Sequence, residues 1–357
     1  MTEALDAQKA FTGTVTPEGA DILDEAKLTE WMSANVEGFE GPITVGKFSG
    51  GQSNPTYRID AKSRSYVLRR KPHGKLLPSA HAVDREFRVI SGLHPTGFPV
   101  AKPYGLCTDD DVVGSMFYIM DMVEGRTIWD GSMPDSNPAD RRAVYLEMID
   151  VLARLHNVDV EKAGLSEFGK PGNYFGRQIG RWTKQYRLSE TEEVPEVDRL
   201  IEWLPATMPE QMRTSVVHGD YRIDNVIFHK TSSECLAILD WELSTLGDPL
   251  ADFTYVCMAW VIENEGRSGV MDLDREALGI PELEEIVERY CAATDRESVP
   301  DMNWYFAYNF FRLAGILQGI KKRVIDGTAS SAHAKNMSER VVPLAQAAWG
   351  FAKKAGA

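Results

Sequence analysis

The chain has 357 residues, with 39 Lys plus Arg against 53 Asp plus Glu and a formal net charge of −14. That length exceeds one ordinary hydrophobic core and implies roughly two domains of ~100–200 residues each. Such acidity argues against a general nucleic-acid binder, whose affinity comes from neutralising phosphates, but leaves room for a local basic pocket.

The opening "MTEALDAQKAF" is acidic and polar, unlike a signal peptide. Residues 1–40 read as an N-terminal extension with one short helix, Ile22 to Val36. Strand-like runs follow: "ITVGKF" from Ile43, "PTYRID" from Pro55 and "YVLRR" from Tyr66, joined by the turns "SGGQSN" and "AKSRS". Runs of this kind separated by Gly- and Ser-rich turns describe an antiparallel meander. Ser79 to Leu93 carries Val83, Phe87 and Ile90 at helical spacing, and "SMFYIMDMVEG" reads as a buried strand ending at Gly125. Beyond it the texture turns helical, with Val144, Leu146, Ile149, Leu152 and Leu155 on one stripe of "DRRAVYLEMIDVLARLH". The expected fold class is α+β and bilobal: residues 41–122 form a small antiparallel-sheet lobe and residues 123–357 a larger, mostly helical lobe.

The most apolar stretch, Asn303 to Val324, is broken by Asn309, Arg312 and Gln318, so it predicts a buried core helix and not a membrane span. Cys107, Cys235, Cys257 and Cys291 form no C-x-x-C pair and no metal-ligand spacing, which suits a reduced compartment. A cytoplasmic protein with neither nucleic acid nor membrane as partner is the expectation.

One segment concentrates chemistry. In "VVHGDYRIDNVIFHKTSSECLAILDWE", the runs "NVIFH" and "CLAILD" flank the turn-rich "KTSSE" and predict a hairpin. Asn225 begins its first strand and Asp240 ends its second, so their Cβ atoms should lie ~5 Å apart at the open end. An amide oxygen and a carboxylate at that separation can share a hard cation such as Mg²⁺. Asp220, on the loop entering the same hairpin, would face that site and accept a proton from a substrate hydroxyl, as phosphoryl transfer requires. Turn and cap roles explain each of these residues singly, but not all three in this order.

"HGDYRIDN" followed by "LDWE" resembles the H-G-D-x-x-x-x-N and (I/L)-D-x-E signatures of the aminoglycoside phosphotransferase and choline kinase family, distant relatives of protein kinases. The resemblance implies a protein-kinase-like fold using ATP and Mg²⁺. It implies Asp220 as catalytic base, Arg222 on the transferred phosphate, His218 orienting the loop, and Asn225 and Asp240 as Mg²⁺ ligands. Where protein kinases carry D-F-G, this chain has Asp240-Trp241-Glu242.

Such a fold also needs a Gly-rich turn, a cation on the next strand and an acid on the following helix. Backbone amides of Gly51, Gln52 and Ser53 supply the first. Arg69 stands where the family has a lysine, with Arg70 facing the other side of the strand, and Arg suits phosphate well. Glu86 is the natural partner for Arg69; its alternatives are an exposed helix charge or a pair with an Arg along its own helix. By order, the backbone of Asp121 and Val123 would meet the adenine edge, with Met120 and Met122 packing on the base. "GPITVGKF" imitates a P-loop but places Phe48 where Ser or Thr is needed, so it is discarded. His156 is assigned to packing and Asp248 to a helix N-cap before Pro249; neither Asp248 nor Asp252 receives a catalytic role.

"GGQSNPTY", "YVLRRKPHGKLLPSAHAVDREFRV", "FGRQIGRWTKQY" and "LDWELSTLGDPLADF" resemble a branch often fused to, or found beside, acyl-CoA dehydrogenases. That branch implies a hydroxyacyl-CoA acceptor and a functional link to an acyl-CoA dehydrogenase. Cations for the CoA phosphates would come from Lys71, His73 and Lys75, from Arg177, Arg181 and Lys184, or from Lys321 to Arg323. The alternatives are an aminoglycoside or other amino-alcohol acceptor in an acidic pocket, a catalytically silent nucleotide-binding regulatory module, and a metal-dependent hydrolase.

Overall fold

The computed structural model describes residues 13–49, 54–72, 81–327 and 334–357. Gly51, Gln52, Ser53, His73 and Lys75 lie outside the described residues.

The first part contains β1 (Thr14–Val15), α1 (Glu25–Asn35), β2 (Ile43–Phe48), β3 (Thr56–Ala61), β4 (Ser65–Arg70), α2 (Val83–Leu93), β5 (Pro103–Cys107), α3 (Asp110–Val113) and β6 (Phe117–Asp121). Its strands form one six-stranded antiparallel sheet in the order β1-β2-β3-β4-β6-β5. Successive strand side chains point to opposite faces, and β4 uses both. Tyr66 and Leu68 join Tyr57, Ile59, Phe117 and Ile119 in a small core closed by Leu28 and Met32 of α1. Arg70 follows them to that face and is fully buried, donating to the carbonyls of Val113 and Ala20 at 2.9 and 2.8 Å. Arg69 takes the opposite face, where α2 packs. The apolar residues of α2, Val83, Val89, Ile90 and Leu93, belong to the much larger core of the helical part.

The meander, both helices and the strand before Gly125 follow the sequence pattern. Two strands do not. Thr14–Val15, read as part of a tail, pairs with Phe48 and Lys47 at the sheet edge. β5 pairs with β6 through a register shift at Pro103 and Gly105; its Pro and Gly disguise an edge strand as a loop.

After Gly125 come α4 (Pro138–His156), α5 (Tyr174–Ser189), α6 (Pro195–Ala206), β7 (Ser215–Val217), β8 (Val226–Phe228), β9 (Cys235–Ile238), β10 (Thr245–Gly247), α7 (Leu250–Cys257), α8 (Arg275–Leu278), α9 (Leu283–Ala293), α10 (Met302–Ile325), α11 (Ala334–Ser338) and α12 (Val341–Lys354). α10 is the apolar stretch flagged in the sequence, and it is a core helix. No helix among the described residues is long and apolar enough to cross a membrane.

Two short antiparallel ladders, β7 with β10 and β8 with β9, position the site. The segment 218–225 leaves β7 and enters β8, while 239–244 leaves β9 and enters β10. Both loops therefore span the same pair of ladders side by side, and the Leu239 amide donates to the Asn225 carbonyl at 2.8 Å.

The chain passes from sheet to helices against β8. Arg126 and Phe228 exchange backbone hydrogen bonds of 2.8 and 2.9 Å. A Cβ on Gly125 would sit 2.3 Å from the Phe228 carbonyl oxygen, so only glycine permits the approach. Gly125→Ala should destabilise the protein by about 1–3 kcal/mol, the usual range for forcing atoms into a packed contact. Urea unfolding followed by tryptophan fluorescence checks this; a midpoint equal to wild type would contradict the close approach.

Candidate active site

His218 is fully buried and joins the two loops. Its Nδ1 accepts from the Asp220 amide at 3.1 Å, and its Nε2 lies 2.8 Å from the Leu239 carbonyl, the pattern of an Nε2-protonated ring. Both ring nitrogens are thus used inside the scaffold, which makes His218 a positioning group. Gly219 follows with φ +87°, and a Cβ there would meet the Leu243 carbonyl oxygen at 2.8 Å.

The start of this loop is held by a residue that sequence reasoning passed over. Asp252, one turn into α7 and 1% exposed, accepts the His218 amide at 2.5 Å and the Gly219 amide at 2.8 Å. Burial pushes its carboxyl up, but His156 and the Gly219 amide outweigh that and hold it below the usual carboxylate range. His156 lies 3.6 Å from it and meets the Tyr290 hydroxyl at 2.7 Å, so its structural assignment stands. Asp248 caps the turn before α7 by accepting the Leu250 amide at 2.9 Å. From the other side, the buried Arg312 of α10 donates to the Gly219 carbonyl.

The loop then presents its carboxylates. Asn225 donates Nδ2 to the Asp220 carbonyl at 2.9 Å and toward Asp220 Oδ2 at 3.3 Å, which leaves the amide oxygen for another partner. Arg222 places Nη2 2.8 Å from Asp224 Oδ2 and Nε 3.5 Å from Asp220 Oδ1. Burial raises the Asp224 carboxyl, against the pull of Arg222. Across the gap, Asp240 adopts φ +64°, a left-handed conformation that costs a non-glycine residue of order 1–3 kcal/mol and concentrates at working sites.

Arg69 ties the sheet to this loop pair. Its Nε lies 3.0 Å from Glu86 Oε2, and its Nη2 lies 2.9 Å from Asp240 Oδ1 and 3.8 Å from Glu242 Oε2. Glu86 is 1% exposed, so the solvent-facing alternative is excluded; it also accepts from Asn54 Nδ2 at 2.8 Å and from the Tyr118 hydroxyl at 3.1 Å. Burial opposes the charge on Arg69, yet Glu86, Tyr118 and Asp240 raise its pKa above the ordinary guanidinium range.

At the hinge, the Asp121 amide donates to the Lys102 carbonyl at 2.9 Å, and its carboxylate accepts from Tyr104 at 2.6 Å. That amide is committed to the sheet, and Val123 lies beyond the end of β6.

Among the described residues no group of three His, Cys, Asp or Glu side chains could hold a metal. The set that fits a hard cation is smaller: the free amide oxygen of Asn225 with the Asp240 carboxylate. That is one or two protein ligands with substrate oxygens completing the shell, the usual Mg²⁺ arrangement.

Against Tyr221, Arg222 and Ile223 opens a cavity of about 230 Å³. Arg222 and Tyr255 line it next to the catalytic-type loop; Tyr145, Met148, Trp260, Leu313, Leu317 and Leu344 make much of the remaining wall, and residues 262–269 edge it with Glu263, Glu265 and Arg267. None of the described cations expected to meet CoA lines this cavity. Arg177 donates to the Gly172 and Lys170 carbonyls, Lys321 pairs with Glu192, and Lys71 lies 3.6 Å from Asp84.

A small antiparallel sheet bearing a buried Arg–Glu pair, a linker and two acidic loops lying side by side define a phosphotransferase of protein-kinase-like fold. The profile described as "Phosphotransferase enzyme family" matches residues 44–298, and the chain belongs to that family. It is 46% identical over 318 residues to "Acyl-CoA dehydrogenase family member 10" of Mus musculus, covering 88% of this chain and 30% of that protein. It is 40% identical to "Probable acyl-CoA dehydrogenase IBR3" of Arabidopsis thaliana, covering 94% and 43%. The chain therefore spans less than half the length of these relatives. A crystal structure from Ralstonia eutropha, described as a candidate aminoglycoside phosphotransferase, superposes with TM-score 0.86 at 50% identity over 93% of this chain and 99% of that one. APH(4)-Ia in ternary complex with ADP and hygromycin B shares the fold at 14% identity, TM-score 0.59, covering 92% and 98%. The protein is a phosphotransferase with a hydroxyl acceptor.

Glu86→Gln keeps the shape at this position but leaves Arg69 short of one buried carboxylate. Because Asp240 still faces the guanidinium, the expected loss is about 3 kcal/mol, the low end for breaking a buried pair. Denaturant unfolding measures it; wild-type stability in the variant would mean the Arg69–Glu86 pair makes no net contribution to stability.

Proposed function

We propose that this chain is an ATP- and Mg²⁺-dependent kinase that transfers the γ-phosphate to the hydroxyl of a hydroxyacyl-CoA. The observation that carries the reading is the pairing of loops 218–225 and 239–244, which sets Asp220, Asn225 and Asp240 around one gap with Arg69 at its edge. Residues 41–122 serve as the nucleotide lobe, 123–357 as the lobe for chemistry and acceptor, and 1–40 as an N-terminal extension with a short helix.

In this reading Arg69, held by Glu86, binds phosphate oxygens, and the Val123 amide with the Asp121 backbone contacts the base. The turn Gly51, Gln52 and Ser53 covers the phosphates. Asn225 and Asp240 would hold Mg²⁺, which when bound would supply charge neutralisation for the transferred phosphate. Asp220 aligns the acceptor hydroxyl and takes its proton, and Arg222 swings from Asp224 to the transferred phosphate. His218 keeps Asp220 in place. Positioning and charge stabilisation supply most of the acceleration. Solved neighbours in complex with ADP and with AMP-PNP support nucleotide use.

Two observations favour an acyl acceptor. The curated relatives bear acyl-CoA dehydrogenase names, which also supports a working partnership with such an enzyme. The cavity lined by Arg222 and Tyr255 is walled largely by aromatic and aliphatic side chains, which suits an acyl chain better than a polycationic aminoglycoside. Four buried, unpaired cysteines fit the cytoplasmic setting proposed here.

The test is ADP formation with Mg²⁺ against 3- and 4-hydroxyacyl-CoA esters, aminoglycosides and choline. Stimulation by the CoA esters alone is expected, and stimulation by an amino alcohol would move the acceptor class. Nucleotide binding with no turnover for any of them would favour a silent regulatory module. Asp220→Asn should retain ATP binding and lose about 10²–10⁴-fold in turnover, the scale of general-base catalysis. Full turnover in that variant would remove the mechanism.

A further inference from the structure

The cavity lined by Arg222 has a fixed side and a partly exposed one. On the fixed side three buried aromatic residues have their polar tips engaged elsewhere. The Tyr145 hydroxyl donates to the Gly131 carbonyl, the Tyr221 hydroxyl to the Met148 carbonyl and the Trp260 indole to the Pro281 carbonyl, each at 2.8 Å. The rings of Tyr145 and Trp260 also meet edge to face at 5.5 Å. A ring whose one polar atom is spent on a carbonyl offers a cavity only apolar surface, and close packing leaves it little room to shift.

Met337 of α11 and Leu344 of α12 supply the other side. Both are half-buried, so their bulk can change without opening the large core. Their placement is nevertheless defined. Ala345, Ala348 and Ala352 of α12 are buried in that core, and Phe351 stacks on Phe310 of α10 at 5.6 Å. One turn before Leu344, Arg340 also lines the cavity, and its Nη2 lies 3.5 Å from Glu265 Oε2 on the facing loop. That loop is held in turn by Asn264, which donates Nδ2 to Asp130 Oδ1 at 3.0 Å.

We propose that Leu344, together with Met337, determines acceptor size: the two side chains set how long an acyl tail, the part of the acceptor beyond its hydroxyl carbon, the cavity admits. This deepens the reading of the acceptor as a hydroxyacyl-CoA and rests on it. Arg222 connects cavity and chemistry, because it lines the cavity while its Nε lies 3.5 Å from Asp220 Oδ1. An apolar cavity discriminates among tails by volume, and one methylene that does or does not fit is worth about 10- to 200-fold in kcat/KM. Neither Leu344 nor Met337 carries a group that could take part in proton or phosphoryl transfer, so both act on fit alone.

The test uses the full chain with ATP, Mg²⁺ and 3- and 4-hydroxyacyl-CoA esters of increasing tail length. For wild type, Leu344→Trp, Leu344→Ala and Met337→Trp, kcat/KM for each ester is expressed relative to the shortest, and Tm is measured alongside. Leu344→Trp should move the optimum to shorter tails and lower the longest-to-shortest ratio by about 10-fold or more. Met337→Trp should act in the same direction, and Leu344→Ala should move the optimum to longer tails. Because each value is a ratio within one variant, a general loss of folded enzyme cancels. Ratios within about twofold of wild type in all three variants overturn the inference and leave the proposed function standing. A shift of the same sign in Leu344→Trp and Leu344→Ala also overturns it, since it marks a disturbed wall and not a gauge of length. If no hydroxyacyl-CoA supports turnover by wild type, the proposed function falls and this inference with it.

Discussion

The buried carboxylate of Asp252 is the constraint on which the site depends. An isolated carboxylate in a protein interior is costly, and it persists only where donors converge on it. Here the donors are the amides of His218 and Gly219, so α7 cannot dock against the ladder of β7 and β10 without fixing the first two residues of the loop. From there the order propagates: His218 holds the Asp220 amide and the Leu239 carbonyl, and Leu239 is bonded back to Asn225. One desolvated charge thus sets the geometry of three exposed functional groups.

The second organising element is the cluster of Arg69 with Glu86, Asp240 and Glu242. Three carboxylates around one guanidinium leave the cluster short of positive charge. A phosphate alone would be repelled there, whereas a phosphate arriving with a divalent cation would be balanced.

Much of this was legible in the sequence, because the strongest signals were local. The hairpin around "KTSSE" follows from two apolar runs and a turn, and its ends place Asn225 and Asp240. The opposed faces of Arg69 and Arg70 follow from the period of a strand. Glu86 was readable as the partner of Arg69 only through the family pattern, and its burial was not readable at all. Asp252 and Arg312 escaped because each acts across an interface between elements distant in the chain. A lone arginine inside the apolar run of α10 was a signal, used only against a membrane span. For the cations expected to meet CoA, spacing on a helix did not tell which carboxylates or carbonyls already engage them, as with Arg177 and Lys321.

Helix α2 has a consequence for control. Protein kinases commonly regulate themselves by moving the helix that carries the glutamate of this ion pair. In this chain the apolar stripe of α2 is part of the large helical core, and Arg85 of the same helix donates to the Phe168 carbonyl at 2.9 Å and the Ser244 carbonyl at 3.3 Å. Glu86 thus rides on an element anchored to the floor of the cleft and not to its roof. Swinging it outward would open the interior of the molecule, so the packing of α2 resists the helix movement by which protein kinases are commonly switched.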